Sequence, residues 1–376
     1  MLVHLAAREF RNFTHLNVDV PARGLVVVGE NGHGKTNLLE AVAYLALLRS
    51  CRGARDADVI RFGAPAFHVR ATLGPPAPWH TVSVGYERAT KRKRATLDGV
   101  EQARLTNALG ALPSVAFSPA DVSLVAGGPG ERRRYLDVLL ALSSPAYLQA
   151  LQQYRAALLR RNAALRLAQR DGGRAHEHDA RVSVWEPTLA ESGGFLVAAR
   201  HAFVDDHADQ YRHLCTAIGE REGAVLRYQS VGGDNSHGAT TSASAQGEAL
   251  ARALAHQRGT ELRRGVTLVG PHRDDLQLQL GGRDLRTFGS AGQQRSAAIA
   301  LRLLELASLR AALGHAPLLL LDDPFAELDL GRAGRVLALL EDAGAAQVLL
   351  AVPREEDIPE AYTRLERRTM RDGQLT

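Results

Sequence analysis

The stretch Gly29-Glu30-Asn31-Gly32-His33-Gly34-Lys35-Thr36 has the residue types and spacing of a phosphate-binding loop, G-x-x-x-x-G-K-[ST]. Glycines let backbone N–H groups crowd the phosphates, and a helix N-terminus behind them adds a partial positive charge. Lys35 is placed to reach the β- and γ-phosphates of ATP, and Thr36 to ligate Mg²⁺. Near the other end of the chain, Pro317-Leu318-Leu319-Leu320-Leu321-Asp322-Asp323 reads as a buried strand ending in two acids, the Walker B pattern. There Asp322 completes the Mg²⁺ site, and Asp323 can polarise the attacking water as a general base. Alone, such a strand is weak evidence. Downstream of a P-loop and ahead of Glu327-Leu328-Asp329, it is strong.

These side chains need particular elements beneath them. Leu25-Val26-Val27-Val28 is apolar and β-branched, as a buried parallel strand requires, and Leu38, Leu39, Val42, Leu45 and Leu48 recur at helical spacing. Strand, glycine-rich turn and helix start in that order make a bare glycine turn the minority reading. Ser290-Ala291-Gly292-Gln293-Gln294-Arg295 opens a long helix continuing through Leu301, Leu304 and Leu313. Serine and glycine at a helix N-terminus make a second anion site. The competing reading, an N-capped core helix, would suffice if the other motifs were absent. One chain supplies one P-loop and one such helix start; in ATPases of the ABC class these halves meet across a dimer.

With 376 residues, 45% of them apolar, the chain can build a large domain carrying an insertion, or two domains. No apolar run approaches the roughly 18 residues a membrane span needs. Met1 to Phe10 already reads as a strand, so no signal peptide is expected. Cys51 and Cys215 lie far apart, which argues against a disulfide framework and a zinc site and predicts a cytoplasmic protein. The net charge of +5 is unevenly spread: Ala41 to Gly110 holds eleven Arg and Lys against five Asp and Glu. A local basic surplus points to a polyanion surface. Within it, Lys91-Arg92-Lys93-Arg94 falls at a strand connection, equally readable as a DNA-phosphate contact or a solvated hairpin tip.

In chain order, residues 2–20 predict two strands joined by a turn, and Phe67–Leu73, Thr81–Tyr86 and Arg94–Leu97 predict antiparallel strands. From Ser118 to about Gly219 the pattern is helical, with Tyr147, Leu151, Tyr154, Leu158 and Leu165 at heptad-like spacing. Asp171-Gly172-Gly173-Arg174 breaks the run and a second helical stretch follows from about Arg181, predicting a hairpin arm roughly 40–50 Å long. His176-Glu177-His178-Asp179 near its tip reads as solvated, since adjacent helical residues do not converge on one ion. His201, His207 and His213 drift around a helix and receive no ligand role. Val231–Gly247 is rich in Gly, Ser, Thr and Ala and reads as a flexible loop; Thr267-Leu268-Val269 and the alternating Leu276, Leu278 and Leu280 read as strand.

The chain resembles the RecF family, the bacterial recombination-mediator ATPases of the ABC/SMC-like class. The resemblance rests on Phe10-Arg11-Asn12-Phe13, on Gly32 to Ala41, on Arg132-Arg133-Arg134-Tyr135-Leu136-Asp137, on Gly270-Pro271-His272-Arg273-Asp274-Asp275, on Gly292-Gln293-Gln294-Arg295 and on Leu321-Asp322-Asp323. These stretches follow the family's order along nearly the whole chain. The resemblance implies an α/β fold: an ABC-type P-loop ATPase head with an antiparallel β lobe and an inserted helical-hairpin arm. The expected divisions are 1–117 (head with P-loop), 118–264 (arm) and 265–376 (head with signature and Walker B). It implies ATP and Mg²⁺ as cofactors, an ATP-dependent homodimer, and binding to duplex DNA and single-strand–duplex junctions. It further implies work with RecR and RecO to load RecA at gapped DNA, with slow, DNA-stimulated hydrolysis and no membrane association. Ser290, Gly292 and Gln293 become the signature acting in trans and Asp329 the D-loop residue, while Arg11 and Asn12 join residues 29–36 as nucleotide contacts. Two departures stand out: Pro324-Phe325-Ala326 where relatives carry small or apolar residues and a serine, and Ala351-Val352-Pro353 where a Thr or His often senses the γ-phosphate. Hydrolysis is then expected to be slower or differently supported.

Two other functions compete. A transporter ATPase subunit is opposed by Ser-Ala-Gly-Gln-Gln in place of Ser-Gly-Gly-Gln and by the helical insertion. The head of a chromosome-organising SMC/Rad50-like complex would need hundreds of coiled-coil residues between the Walker motifs, and this insertion is far shorter.

Overall fold

Phe13–Asp19 (β2), which buries Phe13, Leu16 and Val18 between exposed polar residues, pairs antiparallel with Leu2–Phe10 (β1). In this computed structural model, residues 1–170, 175–232, 242–326 and 328–376 are described, the side chains of 175–178 excepted. The chain divides into two units, Met1–Asp121 with Ile299–Thr376, and Val122–Ala298; the division falls inside one helix, Ala291–Leu313.

In the first unit, Gly24–Val28 (β3) leads through the glycine loop into helix Lys35–Leu47 (α1), and Asp56–Val59 (α2) is a single turn. Ala66–Leu73 (β4), Thr81–Glu87 (β5), Arg92–Leu97 (β6) and Val100–Glu101 (β7) extend the antiparallel sheet in the order β2-β1-β4-β5-β6-β7. Ser114–Phe117 (β8) closes this part of the chain.

The second unit is mainly helical: Ser123–Ala126 (α3), Pro129–Ser143 (α4), Pro145–Arg170 (α5), Ala175–Ser183 (α6) and Glu186–Ile218 (α7). At 1.5 Å per residue, α5 and α7 span about 39 and 50 Å. Ala224–Gln229 (β9), Asp275–Leu280 (β10) and Arg283–Asp284 (β11) form a small antiparallel sheet, and Ala243–Arg264 (α8), Leu285–Phe288 (α9) and Ala291–Leu313 (α10) complete the series. Pairing of β10 with β9 groups residues 265–298 with this unit, where the sequence alone suggests a boundary at 264.

Local detail refines one expectation here and changes two. In the arm stripe Leu158 is half-buried against the core, and Ala157 and Arg161 beside it are buried, with Arg161 tied to Glu186 and Glu261 at 2.8 and 2.7 Å. Thr267–Val269 is not a strand, because Thr267 N donates to Asn162 Oδ1 (2.8 Å) and Leu268 N to Glu261 Oε1 (2.6 Å), bonds that replace a ladder. Residues 242–247 of the expected loop enter α8, whose small residues face α7: a Cβ on Gly194 would lie 2.4 Å from Gly247 N. The rest of that loop, 233–241, lies outside the described residues, as do the break at 171–174, the side chains of His176, Glu177 and His178, and Glu327. Asp179, beside that cluster, pairs with Arg258 at 3.2 Å.

Returning to the first unit, Leu318–Asp322 (β12), Leu330–Asp342 (α11), Val348–Val352 (β13), Glu366–Arg371 (β14) and Gln374–Leu375 (β15) complete a second sheet in the order β15-β14-β3-β13-β12-β8. Every pair from β14 to β8 is parallel. The apolar side of α1 is buried with residues of both sheets, among them Phe10, Phe67, Leu25 and Leu320. Phe67 meets Tyr44 of α1 edge-on at 5.2 Å, a favoured aromatic geometry. Gln347 joins the sheets: its buried amide bonds both Leu2 N and Leu2 O at 2.8 Å. The α/β head with its antiparallel lobe and helical insertion is thus the architecture expected. Among the described residues, no helix is long and apolar enough to cross a membrane.

Candidate nucleotide-binding site

The glycine loop begins where β3 ends, at the C-terminal edge of a parallel sheet, the edge at which such sheets bind ligands. β14 passes so close that a Cβ on Gly29 would lie 2.4 Å from Met370 O, so only glycine fits there. At the far end Gly34, with φ 115°, holds a left-handed conformation and delivers the chain into α1.

Lys35 folds back over this loop, its Nζ donating to Gly29 O (2.5 Å) and Glu30 O (2.9 Å). Burial pulls its pKa down, opposed by the nearby charges of Asp322 and Asp323. Thr36 Oγ1 donates to Asp322 Oδ1 at 3.0 Å. Burial pushes the Asp322 carboxyl up, while the Thr36 hydrogen bond and Lys35 pull it down, Asp323 raises it and Arg52 lowers it. A hydroxyl and a buried carboxylate side by side are hard oxygen donors suited to Mg²⁺, and a cation there would offset the cost of burying the carboxylate's charge. Asp323 follows with φ 46°, its N–H on Ala351 O at 2.9 Å, an uncommon backbone state for a non-glycine residue.

The flanking residues are placed less uniformly. Asn12 Nδ2 donates to His33 O (3.1 Å) and Asn12 Oδ1 accepts from Asn37 Nδ2 (2.8 Å), so Asn12 supports the loop. Arg11 differs from its expected role. Its Nε and Nη2 grip buried Glu40 at 2.9 and 2.8 Å and its Nη1 donates to Asp58 O, so it braces α1. Glu40 also accepts from Ser50 Oγ at 2.5 Å and lies 3.5 Å from Arg52. A lone acid within the apolar stretch Leu38 to Leu48 is the signal that could have announced this hub.

In the second unit Ser290 and Gln293 make a reciprocal cap on α10: Ser290 N donates to Gln293 Oε1 (2.9 Å) and Gln293 N to Ser290 Oγ (3.3 Å). Ser290 is exposed and Gly292 half-buried. Asp329 caps α11, accepting from Arg332 N at 2.8 Å, and presents the exposed Leu330 beside it. The basic run 91–94 divides. Alternation along β6 turns Lys93 inward, onto Asp56 Oδ2 (2.6 Å) and Leu48 O (2.9 Å), whereas Arg92 and Arg94 face solvent near Glu101 at 3.3 and 3.8 Å and Lys91 is exposed at the turn. Lys93 is therefore structural and unavailable to a phosphate.

Two motifs of the second unit, far apart in sequence, meet. Arg132 pairs with Asp275 at 2.8 Å and Arg133 Nη1 donates to Asp274 O at 2.7 Å. Buried Arg200 joins Asp137 (2.7 Å), Tyr147, Tyr228 and Pro271 O, and Tyr228 donates to buried Asp274. Tyr154 shares a 2.6 Å bond with His272, whose pKa burial pushes down to about 4. These residues form a packed polar core. The sequence gives no hint of it, since motif residues are commonly read as ligand contacts.

Residues 1–376 match the family model described as the RecF/RecN/SMC N terminal domain. The "DNA replication and repair protein RecF" of Chloroflexus aurantiacus is 35% identical over 392 residues, covering 99% of this chain and 98% of that protein. The solved "recombination mediator protein RecF-ATPrS in RecFOR pathway" matches with a TM-score of 0.87 at 26% identity, over 100% of this chain and 97% of that one. An SMC head bound to the C-winged helix domain of ScpA matches at TM-score 0.54 and 14% identity over 100% and 96%, a likeness of fold alone.

Proposed function

From a chain that belongs to the RecF branch of the RecF/RecN/SMC N-terminal-domain family, we propose an ATP-dependent DNA-binding protein of recombinational repair. The observation that carries the reading is the convergence of Thr36 and Asp322, from opposite ends of the chain, beside Lys35. ATP lies along the 29–36 loop, its phosphates met by backbone N–H groups and by Lys35. Mg²⁺ would be held by Thr36 and Asp322 and would neutralise phosphate charge there. Asp323 takes the proton of the attacking water as its oxygen bonds to the γ-phosphorus and the bond to the β-phosphate oxygen breaks, giving ADP and phosphate. Hydrolysis is slow and DNA-stimulated, so the protein is chiefly a switch.

ATP also builds a homodimer in which Ser290, Gly292 and Gln293 of each copy meet the other's γ-phosphate, with Asp329 at the same junction. DNA, as duplex or single-strand–duplex junction, is met by Lys91, Arg92 and Arg94. RecR and RecO are the proposed partners in loading RecA at gaps, in the cytoplasm. The SMC/Rad50-like alternative is less favoured, since the likeness to the SMC head is one of fold alone. Light scattering with and without ATP and duplex DNA tests the reading. Wild type is expected to dimerise only with ATP and Lys35→Met not at all; an ATP-independent oligomer overturns it.

A further inference from the structure

The glycine loop is held from outside by the last turn of the chain. β14 runs parallel to β3, so the Asp372-Gly373 turn that follows it arrives beside the loop. There Gly373 N donates to His33 O at 3.0 Å, onto the carbonyl that also accepts from Asn12 Nδ2 at 3.1 Å. Asp372 meets the His33 ring at Nδ1, which as N–H donates to Asp372 Oδ1 at 3.1 Å and in the other tautomer accepts from the Asp372 N–H at 3.0 Å; the side-chain contact needs the first. Asp372 keeps φ 49° to do so. In a trans peptide the C=O and the following N–H point in opposite directions. Two donors fixing the His33 carbonyl therefore fix the direction of the Gly34 N–H, one of the groups a phosphate would use.

Resting on the nucleotide reading above, we propose that Asp372 and Gly373 are positioning residues for ATP. They act through His33 to keep the loop in its phosphate-binding shape before the nucleotide arrives. The Asp372 side chain is 82% exposed, so its removal leaves the core intact.

Calorimetry of ATP binding, melting temperature without nucleotide, and KM and kcat for hydrolysis on His33→Ala, Asp372→Ala, the double variant, Asp372→Gly and Asp372→Asn test this. Asp372→Ala is expected to weaken ATP binding about fivefold and to raise KM with kcat little changed. Alanine at φ 49° lowers the melting temperature slightly, so Asp372→Gly, free of that strain, should show the same affinity loss at a little-changed melting temperature. The double variant should bind ATP no worse than His33→Ala. Asn, which keeps the oxygen and tolerates the left-handed backbone, should restore affinity. Wild-type affinity in Asp372→Ala, or losses that multiply in the double variant, or an affinity loss that tracks a fallen melting temperature, overturns the inference alone. A wild-type chain that binds no ATP overturns the nucleotide reading with it.

Discussion

Thr36 Oγ1 donates to Asp322 Oδ1 at 3.0 Å across 286 positions of sequence. One interposed strand, β13, makes this possible: it separates β3 from β12, and α1 carries Thr36 over it to the acid. Asp322→Asn keeps the shape but removes the charge a cation needs. Mg²⁺-dependent ATP affinity should fall at least tenfold, with Mg²⁺-free binding little affected. Asp323→Asn should bind ATP normally and lose most hydrolysis, because asparagine also accepts the φ of 46° found there. Calorimetry with and without Mg²⁺, beside phosphate-release assays, separates the two. Equal hydrolysis by the Asp323 variant and wild type would remove that residue from the reaction.

Ser290 caps α10, so its replacement has a structural and a functional consequence that must be told apart. Ser290→Arg should block ATP-dependent dimerisation by bulk, and loss of the cap should cost about 0.5–2 kcal/mol. Ser290→Asp restores the cap but sets a negative charge where the partner's phosphate is proposed. It should melt like wild type and still fail to dimerise. A dimer formed by both variants in light scattering would refute the composite site.

The split within the basic run predicts two different outcomes. Replacing Lys91, Arg92 and Arg94 together by Ala should flatten the log–log salt dependence of duplex binding by about 0.9 for each phosphate no longer neutralised, with stability preserved. Lys93→Ala should instead leave that slope alone. It removes the charge partner of Asp56, whose other oxygen still accepts from the Tyr44 hydroxyl, and lowers stability by about 1 kcal/mol. An unchanged slope in the triple variant would return Arg92 and Arg94 to their pairing with Glu101.

Stability should fall on mild acidification through His272. Its folded pKa, held near 4 chiefly by burial and further by Arg273, Arg133 and Arg161 against the Thr267 hydrogen bond, lies below the unfolded value of about 6.5. Unfolding then takes up a proton, so the stabilisation is complete above about pH 6.5 and is lost as pH falls toward 4, by about 2 kcal/mol at pH 5. Asp274, whose carboxyl burial pushes up, works in the opposite sense and is common to both proteins. Thermal melts at pH 7 and 5 should show a larger drop for wild type than for His272→Asn; equal drops would mean that His272 titrates freely.

Local patterns made the head legible. Four apolar residues before a glycine loop, and four leucines before two acids, specify buried strands whatever the rest of the chain does. Long-range partners were not legible. Lys93 reads as a solvated charge until β5 fixes the register of β6, and Arg11 reads as a phosphate ligand until Glu40 is seen beneath it. α8 was hidden by its own small residues. Gly247 has low helix propensity but lets two backbones touch, and propensity gave way to packing.

The order of the parallel sheet has a consequence for biosynthesis. Both neighbours of β3, namely β13 and β14, lie more than 300 residues downstream of it, so β3 leaves the ribosome long before either. At roughly 5–20 residues per second, Leu25 to Val28 wait on the order of 15–60 s with both edges unpaired. The antiparallel sheet and α1 can assemble in that interval, since all their strands precede Gly110. The nascent chain therefore carries an open, apolar strand edge until β13 and β14 have been made, and both must emerge before a nucleotide pocket exists.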